Sequence, residues 1–156
     1  MALEKLGKFL DAGVTCFVDL TEEHELEPYA GILEDEATRR GLRVRYQRLP
    51  IPDMGTPSVD RMRHILEVID EAGQSGETLY LHCWGGVGRT GTVVGCCLIR
   101  HGSSAEAALQ TVGELFGTMS PEKLWRHPEG SPQRSGQRAF VREWPLHDGA
   151  EGGSHG

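Results

Sequence analysis

The chain has 156 residues, a formal net charge of −7, 38% apolar and 25% charged residues. That length suits one domain with a real core and leaves no room for two, and the composition is that of an ordinary folded chain. The acidic balance argues against general nucleic-acid binding, so any anion this protein handles must be held by a local positive site against the global field. No apolar run approaches the roughly 18 to 20 residues of a membrane span. The opening "MALEKLGKFL" lacks the apolar run and small-residue cleavage site of a signal peptide. The expectation is a cytoplasmic monomer with no membrane partner. Cys16, Cys83, Cys96 and Cys97 form no C-x-x-C pair, which speaks against structural zinc and against a disulfide scaffold, leaving reduced thiols.

In chain order, "VTCFVDL" (14–20) is β-branched and apolar and reads as a buried strand. "YAGILEDEATRRG" reads as a helix ended by Gly41 as its C-cap, and "RVRYQRLPI" as a strand with one wet face. "IPDMGTPS" must be a loop. Ser58 can cap a helix from Val59 whose Met62, Ile65, Leu66 and Ile69 share one face. "AGQSGE" reads as a turn and "TLYLH" as a second short apolar strand. "TGTVVGCCLIRHG" reads as a buried helix stopped at Gly102. "SSAEAALQTVGELF" opens with a capping-box pattern, Ser103 with Glu106. "SPQRSGQRAFVREW" reads as the last helix, closing a domain at about residue 146, and "HDGAEGGSHG" (147–156) as a disordered tail. Strand–helix alternation implies an α/β fold, a mostly parallel central sheet with helices on both faces, with ligands beyond the carboxyl ends of its strands.

The run "HCWGGVGRTG" lies at such an end. Gly85, Gly86 and Gly88 allow positive φ and turn backbone N–H groups inward as an anion-binding nest, and a helix starting near Thr90 points its N-terminal dipole at it. Arg89 adds a planar fork for two phosphate oxygens. Cys83 sits in the middle, and the same positive surroundings favour its thiolate. Thr90 is placed to donate its hydroxyl to that sulfur, which helps when sulfur must leave phosphorus. An oxyanion held over a thiolate is a site for nucleophilic attack at phosphorus.

These residues match the C-x5-R signature of the cysteine-based protein tyrosine phosphatase superfamily, and the G-x-G-R-T-G form resembles its small dual-specificity type. The resemblance implies that Cys83 attacks phosphorus and forms a phosphocysteine. Arg89 and the amides of Trp84, Gly85, Gly86, Val87 and Gly88 hold the equatorial oxygens, and His82 supports the loop and the thiolate. No metal and no cofactor is implied, because Arg89 and backbone amides neutralise the phosphate. The leaving group needs a proton, and "RLPIPDMGTPS" resembles the family's mobile acid loop, making Asp53 the general acid and then the base for water. Asp19, at the end of the first strand, is the rival. "SPQRSGQRAF" resembles the superfamily's glutamine loop, in which Gln133 or Gln137 positions the hydrolytic water.

Three weaker signals remain. Five arginines in residues 39–48 form either a charge-guarded edge strand or a basic rim for anionic substrates. Tyr29 either lines a pocket or packs. Cys16 is a better candidate than Cys96 or Cys97 for a resolving thiol. The expected partner is a phosphorylated protein or peptide, hydrolysed at phosphotyrosine, with phosphoserine and phosphothreonine open. The alternatives are a phosphatase of phosphoinositide, inositol phosphate or an RNA 5′ phosphate, disfavoured by a signature loop without lysine, and a non-catalytic phosphate-binding scaffold.

Overall fold

The computed structural model describes residues 3–25, 29–53, 55–83, 88–116 and 135–155. Among these, six helices and three strands follow in the order α1 (Leu3–Asp11), β1 (Val14–Asp19), α2 (Ala30–Arg39), β2 (Arg45–Arg48), α3 (Val59–Gln74), β3 (Thr78–His82), α4 (Arg89–Arg100), α5 (Ala105–Phe116) and α6 (Ser135–His155). The strands make one parallel sheet in the order β2-β1-β3, the α/β architecture expected from the alternating elements. β1 is central because it is the most apolar, buried on both faces along nearly its whole length.

From Cys16 onward the period of two along β1 sorts its side chains between two cores, and the register irregularity between Val14 and Cys16 puts Val14 with Phe17. Cys16, Val18 and Leu20 face one that holds Met62, Ile65 and Leu66 of α3, Val93 and Cys96 of α4, and Val141 and Trp144 of α6. Val14 and Phe17 face the other, with Leu6 and Leu10 of α1, Tyr29, and Leu33 of α2. β2 carries Arg45 and Arg48 on the sheet edge. Arg45 pairs with Glu77, Arg48 with Asp19, and Arg39 and Arg40 with Glu36. Four of the five arginines are therefore committed to neighbours, the charge-guarded edge rather than a basic rim.

Several helix ends follow from the residues that stand there. Ser58 Oγ accepts the Arg61 amide at 3.1 Å, as a cap should. Past α2, Gly41 adopts φ +68° while its amide and that of Leu42 return to the carbonyls of Thr38 and Ala37, the left-handed ending that glycine allows. Two ends differ from expectation. α5 is capped by Ser104, whose Oγ accepts the Ala107 amide at 3.1 Å, not by Ser103. The helix starts one residue later than the Ser103–Glu106 spacing implied, and Glu106 pairs with Arg142 instead. α3 runs through "AG" to Gln74, and the turn is confined to Ser75 and Gly76.

The chain after residue 146 also departs from its composition. α6 continues through Pro145 and on to His155. Arg63 donates to the His147 carbonyl at 2.8 Å and Arg100 pairs with Asp148 at 3.4 Å, so partners far away in sequence anchor the helix at residues 147 and 148. Among the described residues no helix is long and apolar enough to cross a membrane.

Candidate active site

The three segments that follow the strands meet at one end of the sheet. Ladder bonds extend past the strand ends to hold them there: the Leu20 amide donates to the His82 carbonyl, Leu49 to Asp19, and Ile51 to Leu20. Cys83 follows the last residue of β3, half-buried, and the Thr90 hydroxyl donates to its sulfur at 3.0 Å. β3 ends at His82 and α4 starts at Arg89, so the strand end and the helix start bring cysteine and threonine, seven apart in sequence, into contact. Trp84, Gly85, Gly86, Val87 and Gln133 lie outside the described residues.

Gly88 corrects one expectation. Its φ is −83°, so no left-handed backbone is needed. Glycine there leaves room for a neighbour: a Cβ would stand 2.9 Å from both amide atoms of Gln137, whose side chain would have to shift. Gln137, only 1% exposed, also donates from Nε2 to the Gly55 carbonyl at 3.2 Å. One α6 side chain thus spans the signature loop and the proline-rich loop.

Arg89 is 2% exposed, and a guanidinium so buried must be paired. Its partner is Glu25, held through both forks at 2.7 and 2.8 Å, with the Ile51 carbonyl accepting at 3.2 Å. The hydrogen bonds from Arg89 hold the Glu25 carboxyl below the usual range. Asp53 lies 3.3 Å from the same guanidinium, with its side chain 57% exposed. The proline-rich loop therefore brings an accessible carboxyl to the guanidinium of the signature arginine. Sequence reading missed Glu25. The signal was available, because a signature arginine against a buried strand end demands an acid, and residues 22–25 offer three.

Asp19 is excluded as an acid by its burial. It is 0% exposed and accepts from the Thr21 amide at 2.9 Å, the Thr21 hydroxyl, the Tyr46 hydroxyl at 2.8 Å and Arg48 at 3.2 Å. Burial opposes its charge, but these bonds outweigh it and hold the carboxyl below its ordinary range. Tyr29 packs rather than lining a pocket, with its hydroxyl bonded to His82 Nε2. Burial pushes the His82 imidazole below its ordinary range, which favours the neutral ring. Cys16 is no resolving thiol. It pairs in register with Leu79, four residues before Cys83, roughly 13 Å at strand rise and beyond disulfide reach.

The sequence profile of the Tc-R-P family, described as a DSP-PTPase phosphatase of polymorphic toxin systems, matches residues 2–103. The chain belongs to this phosphatase family. The phosphatase is 34% identical over 148 residues to protein 067L of Invertebrate iridescent virus 3, which bears a tyrosine phosphatase name. That match covers 92% of this chain and 53% of the viral protein. It is 31% identical over 71 residues to cyclin-dependent kinase inhibitor 3 of Sus scrofa, 44% of this chain and 34% of that one. The phosphatase thus spans about half, or less, of these curated relatives. Tk-PTP in its active form superposes with a TM-score of 0.70 at 27% identity, over 93% of this chain and 86% of that one. PTPMT1 in complex with PI(5)P gives a TM-score of 0.66 at 21% identity, over 96% and 86%, a likeness of fold. The fold and the family, cysteine-based and of the small dual-specificity type, agree with the signature read from "HCWGGVGRTG".

Proposed function

We propose that this phosphatase hydrolyses phosphotyrosine in proteins or peptides, with phosphoserine and phosphothreonine as further substrates, through a phosphocysteine on Cys83. In the first half-reaction the Cys83 thiolate forms an S–P bond as the P–O bond to the leaving group breaks, and the Asp53 carboxylic acid passes its proton to the departing oxygen. Arg89, with the loop amides of residues 84–89, balances charge on the equatorial oxygens. In the second half-reaction water attacks phosphorus, Asp53 takes its proton, and the S–P bond breaks. Sulfur leaves as a thiolate stabilised by the Thr90 hydroxyl. Gln137 and Gln133 are the candidates for orienting that water, and Gln137 has the supporting contact with the signature loop. His82 supports the loop from below. The four free thiols suit a reducing cytoplasm.

The observation that carries this reading is the convergence of Thr90 on the Cys83 sulfur at 3.0 Å with Asp53 on the Arg89 guanidinium at 3.3 Å. Wild type should hydrolyse p-nitrophenyl phosphate under reducing conditions without added metal, and Cys83→Ser should not. A phosphotyrosine, phosphoserine and phosphothreonine peptide panel run beside phosphoinositides tests the substrate. Preference for the lipid, the ligand of PTPMT1 in its complex, would sink the protein-substrate assignment.

A further inference from the structure

We infer that Glu22 is a positioning residue that holds Asp53 in place during proton transfer; this rests on Asp53 being the general acid proposed above. Glu22 Oε1 accepts the Asp53 backbone amide at 3.2 Å. Glu22 is itself fixed in a closed turn, where the Glu25 amide donates to the Glu22 carbonyl at 3.0 Å and the Glu22 amide donates to Glu25 Oε1 at 2.8 Å. That same Glu25 oxygen accepts from Arg89 at 2.7 Å. Four residues from three segments thus form one chain of bonds, Arg89 to Glu25 to Glu22 to Asp53.

The Asp53 backbone has to be held because the side chain is exposed, with only Arg89 as its ion-pair partner among the described residues. An entering phosphate dianion competes for that guanidinium, and Asp53 must release it to meet the leaving oxygen. The side-chain tether is therefore lost at the moment the acid is needed, whereas a bond to the backbone amide survives. Neighbouring tethers sit two residues to either side, from Arg89 to the Ile51 carbonyl and from Gln137 to the Gly55 carbonyl. Glu22 is the one that acts on Asp53 itself.

The test compares phenyl phosphate, whose leaving group needs the proton, with p-nitrophenyl phosphate, whose leaving group needs it far less. Glu22→Ala should lower kcat/KM, which reads the first half-reaction, on phenyl phosphate about fivefold to tenfold, the worth of one hydrogen bond, and change kcat/KM on p-nitrophenyl phosphate little. Glu22→Gln, which keeps the acceptor oxygen, should restore most of the loss. In an Asp53→Asn background Glu22→Ala should add nothing, and iodoacetamide should alkylate Cys83 at the wild-type rate in both Glu22 variants. Equal losses on the two substrates, or a Gln variant as poor as Ala, would overturn the inference. Asp53→Asn separates the two assignments: if its own loss is equal on both substrates the acid assignment falls. A leaving-group-dependent Asp53→Asn beside an indifferent Glu22→Ala removes only the tether.

Discussion

The Thr90 hydroxyl, 3.0 Å from sulfur, has in the proposed mechanism a role that separates the two halves of the reaction. A donor to sulfur matters most when the S–P bond breaks and charge returns to the thiolate. Thr90→Val removes the donor at nearly constant shape. It should lower turnover about tenfold to a hundredfold, the worth of a hydrogen bond to a charged group. Formation of the phosphoenzyme should change much less, so rapid quench should find phosphocysteine accumulating; a variant that stays unphosphorylated at steady state would contradict the role. Glu25 offers a second contrast. Its bidentate grip sets the Arg89 fork before any phosphate arrives. Glu25→Ala should weaken orthovanadate inhibition about tenfold or more, since an unpaired buried guanidinium has to reorganise. Unchanged inhibition would mean that Arg89 orients itself. The difference between these residues explains what was legible. Cys83, Arg89 and Thr90 lie within one strand–loop–helix connection, so their spacing alone defined the site. Glu25 and Arg89 are separated by 64 positions, and only the sheet order brings them together.

At the scale of elements, the signature helix α4 is held down by α6 through a close approach that has no sequence period. A Cβ on Gly95 would meet both methyls of Val141 at 3.1 Å. Gly95→Ala gains helix propensity but must push α6 outward, and overpacking of this kind costs about 1 to 3 kcal/mol. Urea unfolding should show that loss, and pairing it with Val141→Ala should recover part of it through a favourable coupling term. Strictly additive losses would place the strain elsewhere. The elements themselves were readable wherever one local signal dominated, such as the apolar run of β1, the Ser58 cap and the glycine ending of α2. Ser103 and Ser104 show where local signals tie, since both precede a helical stretch and only packing decides which serine caps it. Past residue 146 local signals are silent on tertiary partners, and only the fold brings Arg63 and Arg100 to His147 and Asp148.

Across the whole molecule, the two cores leave a polar seam under the catalytic end of the sheet, and that seam should govern stability as pH changes. His82 is 7% exposed, against Tyr29 on one side and beside Asp19 on the neighbouring strand. Burial, the largest influence, lowers its pKa from the ordinary 6.5, and the nearby Asp19 carboxylate only partly offsets this. A depressed histidine binds fewer protons folded than unfolded, so its contribution is fully present above 6.5 and is lost as pH falls below it. Asp19 has the same sign lower down, its contribution present above the ordinary 3.8 and lost as pH falls through its depressed folded value. Unfolding free energy should therefore decline as pH falls through and below about 6.5, with a slope bounded by about 1.4 kcal/mol per pH unit for one proton, and fall again in stronger acid. His82→Gln should be less stable than wild type at pH 7.5, having lost the bonded ring, yet its curve should be flatter between pH 7 and 5. Urea unfolding at half-unit pH intervals measures both. Parallel curves for the two proteins would show that some other histidine takes up the proton, and the neutral imidazole beneath Cys83 would lose its place in the account of stability.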